Sequence, residues 1–199
     1  MEKLSIKSNT QGQTFNSNEK LKVELRQKFI KDLPHNSNVL ECFAGVGSMY
    51  QECYKSFRHT CIEKDVSIPT IGRNIIYGEA LQVMKTLDIN DFDVIDLDAF
   101  SHAWEEFDYI ISKLKRKNTI IFITDGMGRV VGRHRNIPEN LLRYINPRDC
   151  SFNNDRTGIF RHILSAKCKL YNFDIVDFTL FHVKKGNKMI YAGFRLVKN

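Results

Sequence analysis

From Asn38 onward, short apolar runs alternate with amphipathic stretches. "NVLECF", "HTCIE", "NIIY", "DVIDL" and "TIIFIT" read as strands. They are near-continuous apolar blocks rather than strict alternations, as in a parallel sheet covered on both faces. Between them, "SMYQECYKSF", "EALQVMKTL" and "AWEEFDYIISKLK" carry helical spacing. This repeated alternation predicts a doubly wound α/β sheet. Ahead of it, "SNEKLKVELRQKFIKDL" has Leu21, Val23, Leu25, Phe29, Ile30 and Leu33 near helical spacing. Ser17 or Asn18 is its expected N-cap, and Pro34 lies past its end. A further helix is expected over "RTGIFRHILSAKCKL". The two runs after it, "FDIVDFTLFHV" and "KMIYAGFRLV", flank "KKGN" and predict an antiparallel hairpin. Residues 1–17 read as a flexible polar arm, and 18–199 as a single domain.

Composition narrows the class. A chain of 199 residues, 42% hydrophobic, is long enough for one domain with a full core. A net charge of +7 points to an anionic partner, nucleic acid first. Cys42, Cys53, Cys61, Cys150 and Cys168 form no CxxC, so no zinc ribbon is expected; they read as reduced cysteines, and no metal site is assigned. No run approaches the roughly 20 apolar residues of a membrane span, and the N-terminus has no signal-peptide core. The expectation is a cytoplasmic protein without a membrane partner.

The candidate chemistry starts at "ECFAGVG", residues 41–47. Gly45 and Gly47 close the first strand, where open α/β sheets bind ligands. The third glycine of a dinucleotide fingerprint is missing, because Tyr50 stands there. Glu41 beside the turn also suits a cationic ligand better than a pyrophosphate. The glycines alone fit an ordinary tight turn equally well. Three further acidic positions follow the next strands: Glu63, Glu79, and Asp96 with Asp98. Each alone fits a helix cap or a solvated loop, but acids closing four successive strands at one sheet edge suggest one ligand.

Residues from about Asn38 to Asp125 resemble the class I methyltransferases that use S-adenosylmethionine (SAM). "FAGVG" is similar to the first motif of the nucleic-acid base methyltransferases. The resemblance implies a Rossmann-like seven-stranded methyltransferase sheet with helices on both faces and the C-terminal hairpin. It implies SAM as cofactor, with Glu41, Phe43, Ala44, Gly45 and Gly47 at its methionine end. Glu63 would hold the ribose, and Glu79 with Ala80 the adenine. Asp96 is a further cofactor candidate.

Cytosine-5 chemistry is disfavoured, because the chain has neither the Pro-Cys pair nor the Glu-Asn-Val segment it requires. Methylation of an amino group needs an acceptor for the amine hydrogens. "DLDAF" is similar to the Asp-Leu-Asp-Pro-(Phe/Tyr)-Gly motif of the tRNA guanine-N2 dimethyltransferases, with Ala99 in place of Pro and Ser101 in place of Gly. "IIFITDG" resembles that family's fifth strand. Asp98 is the candidate acceptor and Phe100 the candidate platform for a base. A helix N-cap and a buried ring are the alternatives for these two. His102 and Trp104 are candidates to line the base pocket, Trp104 being equally suited to the core.

In "DGMGRVVGRHRN", Arg129, Arg133, His134 and Arg135 are candidate phosphate contacts on a loop that also reads as merely solvated. Arg148 and Arg156 follow nearby. Lys20, Lys22, Arg26, Lys28 and Lys31 of the first helix could add a grip on nucleic acid. The reading is a SAM-dependent methyltransferase acting on an exocyclic amine of a nucleic-acid base, RNA before DNA. A protein partner could supply specificity, and no oligomeric state is indicated. The alternatives are a small-molecule or protein methyltransferase of the same fold, and a non-catalytic SAM-binding domain.

Overall fold

Strand β1 (Asn38–Cys42) lies inside one sheet, parallel to β2 (Arg58–Glu63) on one side and β4 (Val94–Leu97) on the other. The structure is a computed structural model and describes residues 18–116, 118–126, 141, 156–183 and 189–199. Strand β3 (Ile75–Tyr77) extends the sheet beyond β2, and β5 (Asn118–Asp125) extends it beyond β4. The hairpin strands β6 (Phe173–His182) and β7 (Ile190–Lys198) close it, with β7 antiparallel to both β5 and β6. The full order is β3-β2-β1-β4-β5-β7-β6. The chain thus reverses direction across the sheet between β1 and β4, and the crevice at their carboxyl ends is where such folds bind ligands.

Side chains alternate between two layers, as a period of two requires. Leu40, Cys42, Ile95, Leu97, Ile121 and Ile123 pack against α2 (Ala80–Met84), α3 (Trp104–Lys113) and α4 (Arg156–Leu170). On the opposite face, Val39, Val94, Ile120 and Phe122 pack against α1 (Glu19–Ile30) and a turn over Tyr50–Tyr54. Phe29 of α1 meets Phe122 edge-on at 5.7 Å. The doubly wound sheet and hairpin expected from the sequence are therefore present. No helix among the described residues is long and apolar enough to cross a membrane.

Three local expectations change. Asn18 occupies the N-cap position of α1 without a side-chain capping bond; its amide reaches the Tyr191 hydroxyl at 3.5 Å instead. The expected helix after β1 is a widened, π-type turn that sets both Tyr50 and Tyr54 against the His59 ring. Helix α2 stops early, where the Thr86 hydroxyl donates to the Val83 carbonyl at 2.8 Å.

Candidate functional site

The glycine turn leaves β1 through three residues in the left-handed region: Phe43 (φ 64°), Gly45 (φ 49°) and Gly47 (φ 88°). Glycine adopts this region without the steric penalty of a Cβ. At Gly47 space also matters, because a Cβ would come within 2.8 Å of the Arg73 guanidinium. Arg73 is buried and donates to the carbonyls of Gly45 (3.1 Å), Pro69 (2.9 Å) and Thr70 (3.2 Å). It braces the turn from below. Nothing in "TIGRNIIY" marks it in advance.

Glu63 stands at the end of β2, where the sequence reading put it. Its carboxylate accepts from the Gly45 N–H at 2.7 Å and from the Asp65 N–H at 2.9 Å, tying β2 to the glycine turn. Glu79 occupies the N-cap position of α2 without capping it and pairs with Lys64 at 2.5 Å, both side chains largely exposed. Ala80 and Ala44 are buried, and Phe43 packs against the larger core cluster.

Two acids expected at the cofactor do other work. Glu41 is 2% exposed and turns toward β2, where His59 Nε2 lies 2.8 Å away and Cys61 Sγ 3.9 Å away. Burial pushes its carboxyl up, against the opposing pull of His59. Asp96 is fully buried: its two oxygens accept from Arg26 Nε (2.6 Å) and Nη2 (2.7 Å), and the Tyr54 hydroxyl adds a third bond at 2.6 Å. Desolvation, the largest single influence, lowers the Arg26 guanidinium, but Asp96, Tyr54 and Asp98 together outweigh it and hold the group well above its ordinary value. The physical reason for both corrections is register. Glu41 and Asp96 are paired neighbours in the sheet, and their side chains fall on the α1 face rather than over the strand ends.

Asp98 lies one step past β4. Its Oδ1 and Oδ2 both accept from Lys22 Nζ at 2.7 Å, and the Thr124 hydroxyl donates to Oδ1 at 2.7 Å. Arg26 Nη2 is 3.6 Å from Oδ2. Burial alone would raise this carboxyl, but the Lys22 and Arg26 cations outweigh it and hold Asp98 below the usual carboxylate range. Asp98 does not cap α3, whose N-cap position is Ala103. Lys22 and Arg26, expected on a solvent-facing basic surface, are instead on the buried stripe of α1 with Leu25, Phe29 and Ile30.

Phe100 is 62% exposed, so it is not buried under α3. The loop carrying it is fixed where the Gly126 N–H donates to the Ser101 carbonyl. A Cβ at Gly126 would come within 2.7 Å of that carbonyl, which accounts for the glycine of "TDG". Trp104 is core, packed on Phe107 and Phe160, which removes it from any base pocket. His102 Nδ1 is buried without a hydrogen-bond partner among the described residues. Arg129, Arg133, His134, Arg135 and Arg148 lie outside the described residues.

The sequence matches no protein-family model and no curated protein. Solved structures do resemble it. M. jannaschii TYW2 in complex with AdoMet superposes with a TM-score of 0.56 at 12% identity, over 94% of this chain and 80% of that one. Trm1 from Pyrococcus horikoshii, in complex with S-adenosyl-L-methionine, gives 0.58 at 12% identity, over 92% of this chain. A SAM-dependent methyltransferase from Archaeoglobus fulgidus gives 0.52 at 12% identity, over 90% of this chain and 94% of that one. The chain has a Rossmann-like methyltransferase fold. It spans 54% of the Trm1 chain, so what lies outside that overlap has no counterpart in the match.

Proposed function

We propose that this protein is a SAM-dependent methyltransferase that modifies an exocyclic amino group of a nucleic-acid base, with RNA the preferred substrate. The observation that carries the reading is the pairing of an ionised carboxylate, Asp98, with an exposed aromatic ring, Phe100, just past the strand beside the glycine turn. The fold adds support, since TYW2 and Trm1 of similar architecture were solved with SAM bound.

The residues fit the cofactor. The turn at Gly45 and Gly47 leaves no side chain between backbone and ligand, and Glu63 beside it offers a carboxylate for ribose hydroxyls. Glu79, at the end of β3, is exposed on the same edge. When bound, SAM supplies an electrophilic methyl group on a sulfonium. Everything else falls to the chain. An exocyclic amine is a poor nucleophile because its lone pair is delocalised into the ring. An acceptor for its hydrogens counters that delocalisation and orients the nitrogen. Asp98 is that acceptor: a carboxylate has about four lone-pair sites, and Lys22 and Thr124 do not exhaust them. Phe100 offers its face for stacking a base, an interaction worth about 1–3 kcal/mol in single-stranded recognition. The basic residues of 129–135 are proposed to hold phosphates.

Lys22 also favours a second reading. An ammonium already placed on both oxygens of Asp98 is what a non-catalytic SAM-binding domain would tolerate and what a substrate amine would have to share the carboxylate with. One experiment separates the two. The protein is incubated with methyl-labelled SAM and, separately, with total RNA, DNA, protein and metabolites. The RNA is then digested and the labelled nucleoside identified. Label on an amino-methylated nucleoside supports the proposal. Label confined to protein or metabolites, or none with SAM bound, overturns it.

A further inference from the structure

The Glu41, His59 and Cys61 side chains form a cluster the methyltransferase reading does not use. We propose that they bind a divalent metal ion of the zinc class, clipping β1 to β2 beneath the glycine turn. The sheet itself assembles the set. Glu41 pairs with Cys61 across the parallel ladder, and His59, two residues earlier, shares Cys61's face.

The edges of the donor triangle fall on either side of the size a tetrahedral ion needs, each within about half an ångström of it. Bonds of about 2.0–2.1 Å to nitrogen and oxygen and about 2.3 Å to sulfur place neighbouring donors roughly 3.3–3.6 Å apart. Here Sγ lies 3.9 Å from Glu41 Oε2 and 3.7 Å from His59 Nε2. The remaining edge, Nε2 to Oε2, is 2.8 Å, a hydrogen-bond length. An ion that displaces the shared proton has to open it by roughly half an ångström.

Charge and ligand type point the same way. A thiolate, a carboxylate and a neutral imidazole balance a dication, and these side chains are only 3% exposed at His59 and Glu41 and fully buried at Cys61. The buried Arg73 guanidinium, hydrogen-bonded to Cys61, adds one positive charge beside the set. Mixed sulfur, nitrogen and oxygen donors select zinc or cobalt over magnesium or calcium. The His59 ring is held near Tyr50 (4.9 Å between centroids) and stacked with Tyr54 (5.7 Å), which limits its rotamers before any ion arrives. No CxxC or HxxxH spacing announces the site, because the ligands lie 18 and 20 residues apart and meet only through strand register.

The test uses the full chain, stripped with chelator and titrated with cobalt(II) and zinc(II), with SAM binding measured on the same preparation. The expected result is one ion per chain, a cobalt spectrum with tetrahedral d–d bands, and a thiolate-to-cobalt charge-transfer band. Cys61→Ser should abolish the charge-transfer band, while Cys53→Ser should keep it. His59→Ala should weaken zinc by more than about tenfold, a loss seen elsewhere when only a supporting residue is removed. A wild-type protein with no charge-transfer band, or one whose band survives Cys61→Ser, overturns the proposal. Because the site does not depend on SAM, metal binding without SAM binding would leave it standing and count against the methyltransferase reading alone.

Discussion

Lys22 Nζ sits 2.7 Å from both carboxylate oxygens of Asp98, joining the first helix to the acid past the fourth strand across 76 residues of sequence. Arg26, one turn further along, makes the equivalent contact with Asp96. The helix is therefore bound to the candidate catalytic edge by two buried charge pairs. Lys22 and Arg26 thus support the site from within, while Lys20 and Lys28 of the same helix, and Lys31 at its end, stay exposed.

Breaking one of these pairs from one side should be costly, because the partner charge stays buried. Lys22→Met or Arg26→Met is expected to destabilise the fold by about 3 kcal/mol or more in urea unfolding. The Lys22→Met/Asp98→Asn double variant should recover over half of the Lys22→Met loss. Equal and additive losses would show that the pairs are not coupled as the distances indicate.

Asp98 also predicts an acid limb of stability. Lys22 and Arg26, acting against burial, hold its folded carboxyl below the usual carboxylate range. A depressed carboxyl contributes stability that is fully present above its unfolded pKa and lost as pH falls through its folded pKa. The stability difference between wild type and Asp98→Asn should hold steady from about pH 7 to 5 and shrink below about pH 4. A gap that widened with acid would reverse the sign and refute the assignment.

The sequence carried the strands, the doubly wound class and the closing hairpin well, because apolar blocks and turn segments are local signals. What it could not carry was which face an acid takes. Glu41 and Asp96 looked like ligand-edge acids, yet period-two register turns both toward α1. Likewise Lys22 and Arg26 read as solvated until partners 76 and 70 residues away put them on the buried stripe. Arg73 gave no signal, since its main partners are backbone carbonyls, which no side-chain motif marks.

The two turn glycines should respond differently. Gly45→Ala meets nothing within 4 Å and carries only the left-handed backbone cost, about 1 kcal/mol. Gly47→Ala adds the collision with Arg73. It should lower stability by about 1–3 kcal/mol and weaken SAM more than Gly45→Ala does, as thermal melts and calorimetry on both variants would show.

Phe100→Ala should separate stability from substrate handling. A largely exposed ring removed from a loop changes unfolding free energy by no more than about 0.5 kcal/mol. Methyl transfer to nucleic acid should fall at least tenfold, about 1.4 kcal/mol, with SAM affinity unchanged and with Phe100→Tyr retaining most of the activity.

Titration calorimetry with SAM, on the wild type and on Glu63→Ala, tests the central claim most directly. Glu63 both braces Gly45 and faces the proposed ribose position. The account predicts one SAM per wild-type chain and binding weakened by at least tenfold, about 1.4 kcal/mol, in Glu63→Ala. A wild-type protein that takes up no SAM at millimolar concentration, or a Glu63→Ala variant that binds it equally well, would contradict it.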